Sequence, residues 1–149
     1  KTLSEESEIL LRRVGWKTDD PSKAILPAVD QGQLLEMQDV VESRVYVDGD
    51  IVDYVSSIVR ATRQHPSVQV GSSPRGGLAL LKASRAHAAI SGRDFVTPDD
   101  VKVFVDEALA HRIILRMEYQ MDESVTASKV VAEVVSKVEA PTALGRRKG

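Results

Sequence analysis

One arginine of this chain stands where structure alone gives little reason for a cation. In "GSSPRGG" (71–77), Ser73 and Pro74 have the residue types of a helix N-cap and first helical position, so Arg75 falls in the first turn. The free N–H groups of a first turn already carry partial positive charge. An anion such as phosphate would suit both the guanidinium group and these N–H groups. The alternative is a surface arginine that reaches away to pair with an acid.

No complete catalytic or metal-binding set accompanies this arginine. The segment "GGLALLKAS" (76–84) resembles a P-loop only superficially, because it lacks the glycine before Lys82. The three histidines are far apart, and "DGDIVD" (48–53) lacks the later ligands of a calcium loop. No Gly-x-Ser-x-Gly elbow occurs in the sequence. We therefore expect no metal site and no complete catalytic site in this chain.

A nucleic-acid interface is the other chemistry that basic residues could support. Lys and Arg number 20 against 22 Asp and Glu, the net charge is -2, and only 4% of residues are aromatic. Acids are interspersed with the basic residues of the predicted helices, so solvated faces or ion pairs are the expected state of these residues. The residues concerned are Arg60, Arg63, Lys82 and Arg85.

Length and composition predict one domain of ordinary size with extensions. The chain has 149 residues, no cysteine and no long apolar run, and it shows no signal peptide. These features favour a soluble protein of the reducing cytosol, so a cytoplasmic location is expected. The chain opens on Lys1 rather than methionine and is already helical in pattern by Ser4, which suggests a piece of a longer protein.

Apolar spacing predicts helices nearly throughout, and hence an all-α fold. Residues 4–13 should form a helix capped by Ser4 that stops at Gly15. Asp30 and Gln33 form a capping pair for a helix through about Glu42. Asp48 caps the next helix, which ends at His65-Pro66. Its apolar stripe is Ile51, Tyr54, Val55, Ile58 and Thr62.

The second half of the chain repeats these signals. The helix from Pro74 to about Ser91 is rich in alanine and leucine and is followed by Gly92, a left-handed C-terminal cap. In "FVTPDDV", Thr97, Pro98 and Asp100 mark another helix start, whose inward face holds Val101, Phe104, Val105 and Ala108. Residues 124–138 carry a helical apolar face despite several valines. The basic end, 141–149, is expected to be disordered.

A longer stretch around the arginine resembles a known family. "GSSPRGGLALLKASRAHAAISGRDFVTPDDV" is similar to the lid subdomain of the MoxR family of AAA+ ATPases, whose usual form reads Gly-Ala-Ser-Pro-Arg-Ala, an alanine- and leucine-rich helix, then Gly-Arg-Asp-Tyr-Val-Thr-Pro-Glu-Asp-Val. "DYVSSIVRATR" (53–63) resembles the first lid helix, and "LAHRIILR" (109–116) resembles the closing segment. The resemblance covers roughly residues 1–120, while 122–149 matches nothing in the family pattern.

The resemblance implies a place for the anion. Arg75 matches the arginine called sensor 2, which in the family reaches from the lid to the γ-phosphate of ATP, with Ser73 and Pro74 at the same helix start. Tyr54 and Ile58 match the lid helix that often flanks the adenine, although packing in the apolar core is the simpler role for both. Arg63 closes a family-like "ATR" and would be structural or lie between subunits. ATP and Mg²⁺ would be bound mainly by an ATPase core that this sequence lacks, so this chain alone should be inactive.

The resemblance also implies an organisation and partners. Residues 1–46 would connect from the ATPase core, 47–121 would be the helical lid, and 122–149 would be a C-terminal helical extension with a basic tail. The whole protein would be a chaperone-like ATPase that remodels or matures partner complexes. It would form rings, hexamers as the resemblance implies, and act with von Willebrand factor A domain proteins, without nucleic acid and without membrane insertion.

One departure and one rival interpretation accompany the resemblance. Gly76-Gly77 replaces the commoner alanine after the arginine, and glycine loosens a helical turn by roughly 1 kcal/mol per residue. The direction of the arginine side chain is then less well fixed. The rival is a free-standing helical adaptor or DNA-associated module that shares only the lid architecture and has no ATPase activity.

Overall fold

The computed structural model describes residues 2–15, 25–122 and 124–142, and these residues are mainly helical. Two compact units are present, residues 1–35 and residues 36–149. The prediction of an all-α fold is confirmed. In chain order the elements are α1 (Leu3–Val14), α2 (Gln31–Arg44), α3 (Gly49–Gln64), β1 (Val68–Val70), α4 (Pro74–Ile90), α5 (Pro98–Leu109), a 3-10 turn (Ala110–Arg112), β2 (Ile114–Leu115), α6 (Met117–Gln120) and α7 (Ala127–Lys137).

Helix α1 begins two residues earlier than its sequence pattern suggests. Thr2 is the N-cap: its hydroxyl accepts from the Glu5 N–H, and the Glu5 carboxylate accepts from the Thr2 N–H at 2.8 Å. The prediction that Ser4 caps the helix is therefore wrong, because Thr2 and Glu5 form the reciprocal capping box. The predicted end at Gly15 is confirmed, and no residue of α1 is buried. Residues 16–24, which follow the predicted end of this helix, lie outside the described residues.

Helix α2 starts at the capping pair that the sequence indicates. The Asp30 N–H donates to Gln33 Oε1 at 2.9 Å, and the Gln33 N–H donates to Asp30 Oδ1 at 2.8 Å. These bonds satisfy donors that the helix start would otherwise leave free. The helix continues to Arg44, slightly beyond the predicted end near Glu42.

Helix α3 supplies one wall of the hydrophobic core. Asp48 caps it by accepting from the Asp50 N–H at 2.9 Å, and His65 lies at its C-cap, as predicted. All five residues of the predicted stripe are buried. The 3.6-residue period therefore identified the inward face correctly.

Helices α4 and α5 pack closely and start at the predicted prolines. Gly92, with φ +73°, follows α4 in the left-handed region, and Thr97 with Asp100 forms the capping box of α5. Ser73 has the extended backbone of an N-cap, but its hydroxyl makes no capping bond, contrary to the usual behaviour of serine there. The start of α4 therefore keeps its N–H groups free of a side-chain cap.

Two short strands, which the helical periodicity does not predict, join the connection before α4 to the segment after the 3-10 turn. β1 and β2 are antiparallel, with Val68 opposite Leu115 and an irregular register between Val68 and Val70. The Arg116 N–H adds a bond to the Ser67 carbonyl at 3.0 Å. Strands of two and three residues are too short to show alternation in a sequence.

Helix α7 belongs to the same core as α3, α4 and α5. It lies within the predicted helical segment 124–138, starts after the Thr126 cap, and buries three valines. Residues 143–149 of the predicted tail lie outside the described residues. No helix of the described ranges is both long and apolar enough to cross a membrane. The buried apolar residues are Val45, Ile51, Tyr54, Val55, Ile58, Val59, Val68, Leu80, Ala88, Val96, Val101, Val105, Leu109, Ile113, Val130, Val131 and Val134.

Candidate functional site

The N-terminus of α4 presents three exposed residues in a row: Ser73, Pro74 and Arg75. Among the residues that the structure describes, none forms a hydrogen bond or ion pair with the Arg75 guanidinium, so the acid partner of the alternative interpretation is not observed. The first turn is closed by the Gly76 N–H, which donates to the Ser73 carbonyl at 2.8 Å. An exposed guanidinium beside an uncapped helix start can receive an anion from solvent or from another domain.

Two consecutive buried hydrogen bonds hold the start of α4 against α3. The Thr62 hydroxyl donates to the Val59 carbonyl at 2.7 Å, and the Ser72 N–H donates to Thr62 Oγ1 at 3.0 Å. Thr62 and Ser72 are both completely buried. Hydrogen bonds in such a dry setting hold their groups in one geometry, because a broken bond would leave a buried polar atom without a partner.

Two glycines allow the backbone to pack closely around the start of α4. A Cβ atom on Gly71 would lie 2.6 Å from the Arg63 Cα, and one on Gly76 would overlap Ser72 Oγ and lie 3.1 Å from Leu109 Cδ2. A Cβ on Gly77 would meet Val59 Cγ2 at 3.4 Å, an ordinary contact. Gly71 and Gly76 therefore serve close packing, which the sequence does not reveal.

The two residues matched to the adenine side lie in the core. Ile58 is fully buried and Tyr54 is 3% exposed, whereas Ser73, Pro74 and Arg75 are exposed. The Tyr54 hydroxyl is buried and has no hydrogen-bond partner within the described ranges. Burial raises the pKa of this hydroxyl. The packing role given to both residues agrees with this burial.

A buried carboxylate, Asp100, organises the opposite end of α4. Its oxygens accept from Arg93 at 2.6 and 2.7 Å, from the Thr97 N–H at 2.7 Å, and lie 2.6 Å from His87 Nδ1. Burial raises the pKa of Asp100, but the hydrogen bonds from Arg93, Thr97 and His87 outweigh it and hold the pKa well below 3.8. The capping role of Asp100 was predicted, but its pairing with Arg93 and His87 was not.

Two of the four basic residues considered above for nucleic-acid binding are paired or partly buried. Lys82 Nζ lies 3.2 Å from Glu42 Oε1, and Arg85 is half-buried, with an Nε atom that is buried and unpartnered within the described ranges. Arg60 and Arg63 are exposed. Within the described residues, no group of three or more His, Cys, Asp or Glu side chains is placed to hold a metal ion.

Comparison with known proteins gives the fold a family context. A family model described as the AAA lid domain matches residues 60–134. The uncharacterised protein YeaC of Bacillus subtilis is 36% identical over 140 residues, which cover 94% of this chain and 42% of YeaC. The chaperone MoxR1 of Mycobacterium tuberculosis is 32% identical over 146 residues, which cover 92% of this chain and 37% of MoxR1.

A solved structure agrees with these sequence matches at the level of fold. The crystal structure of a candidate ATPase from Cytophaga hutchinsonii is similar with a TM-score of 0.77 and 24% identity, covering 95% of this chain and 44% of that protein. The chain thus spans less than half the length of these relatives.

Proposed function

Because the chain belongs to the AAA lid domain family, we propose that it is the lid of a MoxR-type AAA+ ATPase and that Arg75 binds the γ-phosphate of ATP. The observation that carries this proposal is the exposed Arg75 at the uncapped start of α4, without an acid partner in the described ranges. Ser73 and Pro74 would present the backbone of the same helix start to the phosphate.

The chemistry of this position suits a sensor of nucleotide state. A guanidinium group on a γ-phosphate has a strong, charge-assisted partner before hydrolysis and loses it when phosphate leaves. The lid then has a different free energy in the two nucleotide states, which is the condition for its movement to follow hydrolysis. The buried bond that the Ser72 N–H donates to Thr62 Oγ1 supports this role, because it holds the turn that carries Arg75 on α3.

The rest of the reaction is assigned to a part of the protein that this chain does not span. The P-loop, the acids that hold Mg²⁺ and the group that positions water would belong to an α/β ATPase core. Residues 1–46 would connect from that core, 47–121 would form the lid, and 122–149 would extend it. Tyr54 and Ile58 would support the nucleotide side of α3 from within the hydrophobic core.

We extend the proposal to assembly. The whole protein would form an ATP-dependent ring, a hexamer as the family resemblance implies, that remodels or matures partner complexes in the cytoplasm. Proteins with von Willebrand factor A domains are the partners that the family resemblance implies.

The deciding experiment is the ATPase rate and ATP affinity of the full-length protein with Arg75 intact and with Arg75→Ala. Loss of a charged hydrogen bond to phosphate should lower rate or affinity roughly ten- to a hundredfold. Circular dichroism and the unfolding midpoint should stay unchanged, because Arg75 is exposed. Arg60→Ala is the matched control, an exposed arginine on α3 that should leave both values unchanged. An unchanged rate together with an unchanged affinity for Arg75→Ala would contradict the proposal.

A further inference from the structure

The close approach of Ser72 to Gly76 links the direction of the Arg75 side chain to a neighbouring residue. Ser72 immediately precedes the N-cap of α4 and is completely buried, and its hydroxyl lies 3.4 Å from the Ser73 carbonyl. Gly76 follows Arg75 directly and is also buried. A Cβ atom at position 76 would overlap Ser72 Oγ. The serine hydroxyl therefore occupies the space that a larger residue at 76 would need.

Ser72 could relieve such an overlap only by rotating its hydroxyl within a completely buried site. The Ser72 N–H is bound by Thr62 Oγ1, so the backbone that carries the hydroxyl is fixed to α3. On the other side, a Cβ at 76 would also lie 3.1 Å from Leu109 Cδ2 and 3.3 Å from Arg112 Cδ. The first turn of α4 is thus held between α3 and the end of α5, and a clash there would displace the residue beside it.

We infer that Ser72 and Gly76 form a steric pair that positions Arg75, so that a larger residue at position 76 is tolerated only when the residue at position 72 is made smaller. This inference rests on the proposed contact of Arg75 with ATP. Ser72 and Gly76 are positioning residues, since the exposed guanidinium would make the contact and they fix the turn from which it extends. Gly77 is not part of the pair, because a Cβ there meets only Val59 and Val55 at ordinary distances.

The test compares neighbouring glycines in the full-length protein. Gly76→Ala should weaken ATP affinity at least about fivefold, because misplacing a binding group by a fraction of an ångström to an ångström is costly. Gly77→Ala should leave affinity within about twofold, although it makes the same change in helix propensity. Ser72→Ala/Gly76→Ala removes the hydroxyl from the clash and should recover most of the affinity lost by Gly76→Ala.

A double-mutant cycle with Arg75→Ala separates an effect on ATP affinity that acts through Arg75 from general damage to the fold. If Ser72 and Gly76 act through Arg75, Gly76→Ala should cause no further loss of affinity when Arg75 is already alanine. A further loss in that background, or a Gly76→Ala protein with unchanged affinity, would overturn the inference. If Gly76→Ala does not fold, recovery of both folding and affinity in Ser72→Ala/Gly76→Ala supports the pair, and recovery of folding alone overturns its positioning role.

If the proposed function of Arg75 is wrong, the same variants should give a different pattern of results. Arg75→Ala would then leave both the ATPase rate and the ATP affinity unchanged, and no glycine variant could act through it. If Arg75→Ala lowers ATP affinity but Gly76→Ala does not, only the inference of a steric pair is overturned. The proposed function then stands.

Discussion

Asp100 is a charged residue with 1% of its side chain exposed, and it holds together the end of α4 and the start of α5. Replacing it by Asn keeps the size and part of the cap but removes the charge that faces Arg93. Because Arg93 is 29% exposed and can regain water, we expect Asp100→Asn to cost about 2–3 kcal/mol, at or below the usual cost of breaking a buried pair. Urea unfolding followed by circular dichroism measures this cost.

The neighbouring residue provides the matched control. Asp99 also lies in the first turn of α5, but its side chain is 86% exposed and its partner Lys102 is 3.2 Å away at the surface. Asp99→Asn should change stability by less than about 0.5 kcal/mol, since exposed pairs contribute little. Equal effects of the two substitutions would show that burial of the Asp100 network does not matter.

The same carboxylate makes stability depend on pH. The pKa of Asp100 is held below 3.8 in the folded protein, so its contribution is fully present above that value and is lost as the pH falls below it toward the folded pKa. We expect the stability difference between wild type and Asp100→Asn to shrink as the pH falls from about 5 to about 2. Urea unfolding across this range measures the difference, and a constant difference would contradict the assignment.

At the residue scale, sequence patterns locate helix ends better than contacts across a turn. Thr97 and Asp100 follow a local capping rule and were predicted correctly. The pairing of Asp100 with Arg93 and His87 is not predicted, because Arg93 lies in the loop before α5 and His87 lies in α4, so no helical period relates them to Asp100. The sequence suggests that Gly76 loosens the first turn of α4, whereas in the structure its missing side chain leaves the space that Ser72 Oγ occupies. Local propensity carries no information about such a neighbour.

At the scale of elements, α7 tests whether the last helix is an integral part of the lid. Val131 is 1% exposed and packs in the core with residues of α3 and α5. Val131→Ala should cost roughly 2 kcal/mol through lost burial and a small cavity. Val103→Ala on α5 is the control, because Val103 is 50% exposed and alanine is the better helix former. Chemical denaturation measures both, and similar small effects would mean that α7 is peripheral.

Helix ends were predictable where a side chain or glycine terminates the backbone pattern, as at Asp30, Asp48 and Gly92. The start of α1 was misplaced because Ser4 and Thr2 are both capable caps, and only the reciprocal bond with Glu5 decides between them. The strands were missed because their pairing joins residues far apart in the chain. Elements that depend on local sequence were therefore easier to predict than those that depend on a distant partner.

At the scale of the whole molecule, the buried apolar residues of the described ranges all lie between Val45 and Val134. Helix α1 has no buried residue and leaves Leu10, Leu11 and Val14 more than half exposed. The unit of residues 36–149 therefore contains the hydrophobic core from which its stability arises. A domain with its own core can fold alone.

This distribution predicts unequal effects for two truncations. Removal of residues 1–35 should change the free energy of unfolding by less than about 1 kcal/mol, because no buried apolar group of the described ranges is lost. Removal of residues 124–149 should abolish cooperative unfolding, because it exposes the core surface that Val130, Val131 and Val134 cover. Thermal unfolding of both proteins beside the full chain measures the contrast. Loss of cooperative unfolding in the first truncation would mean that residues 1–35 contribute to the fold through contacts beyond the buried core.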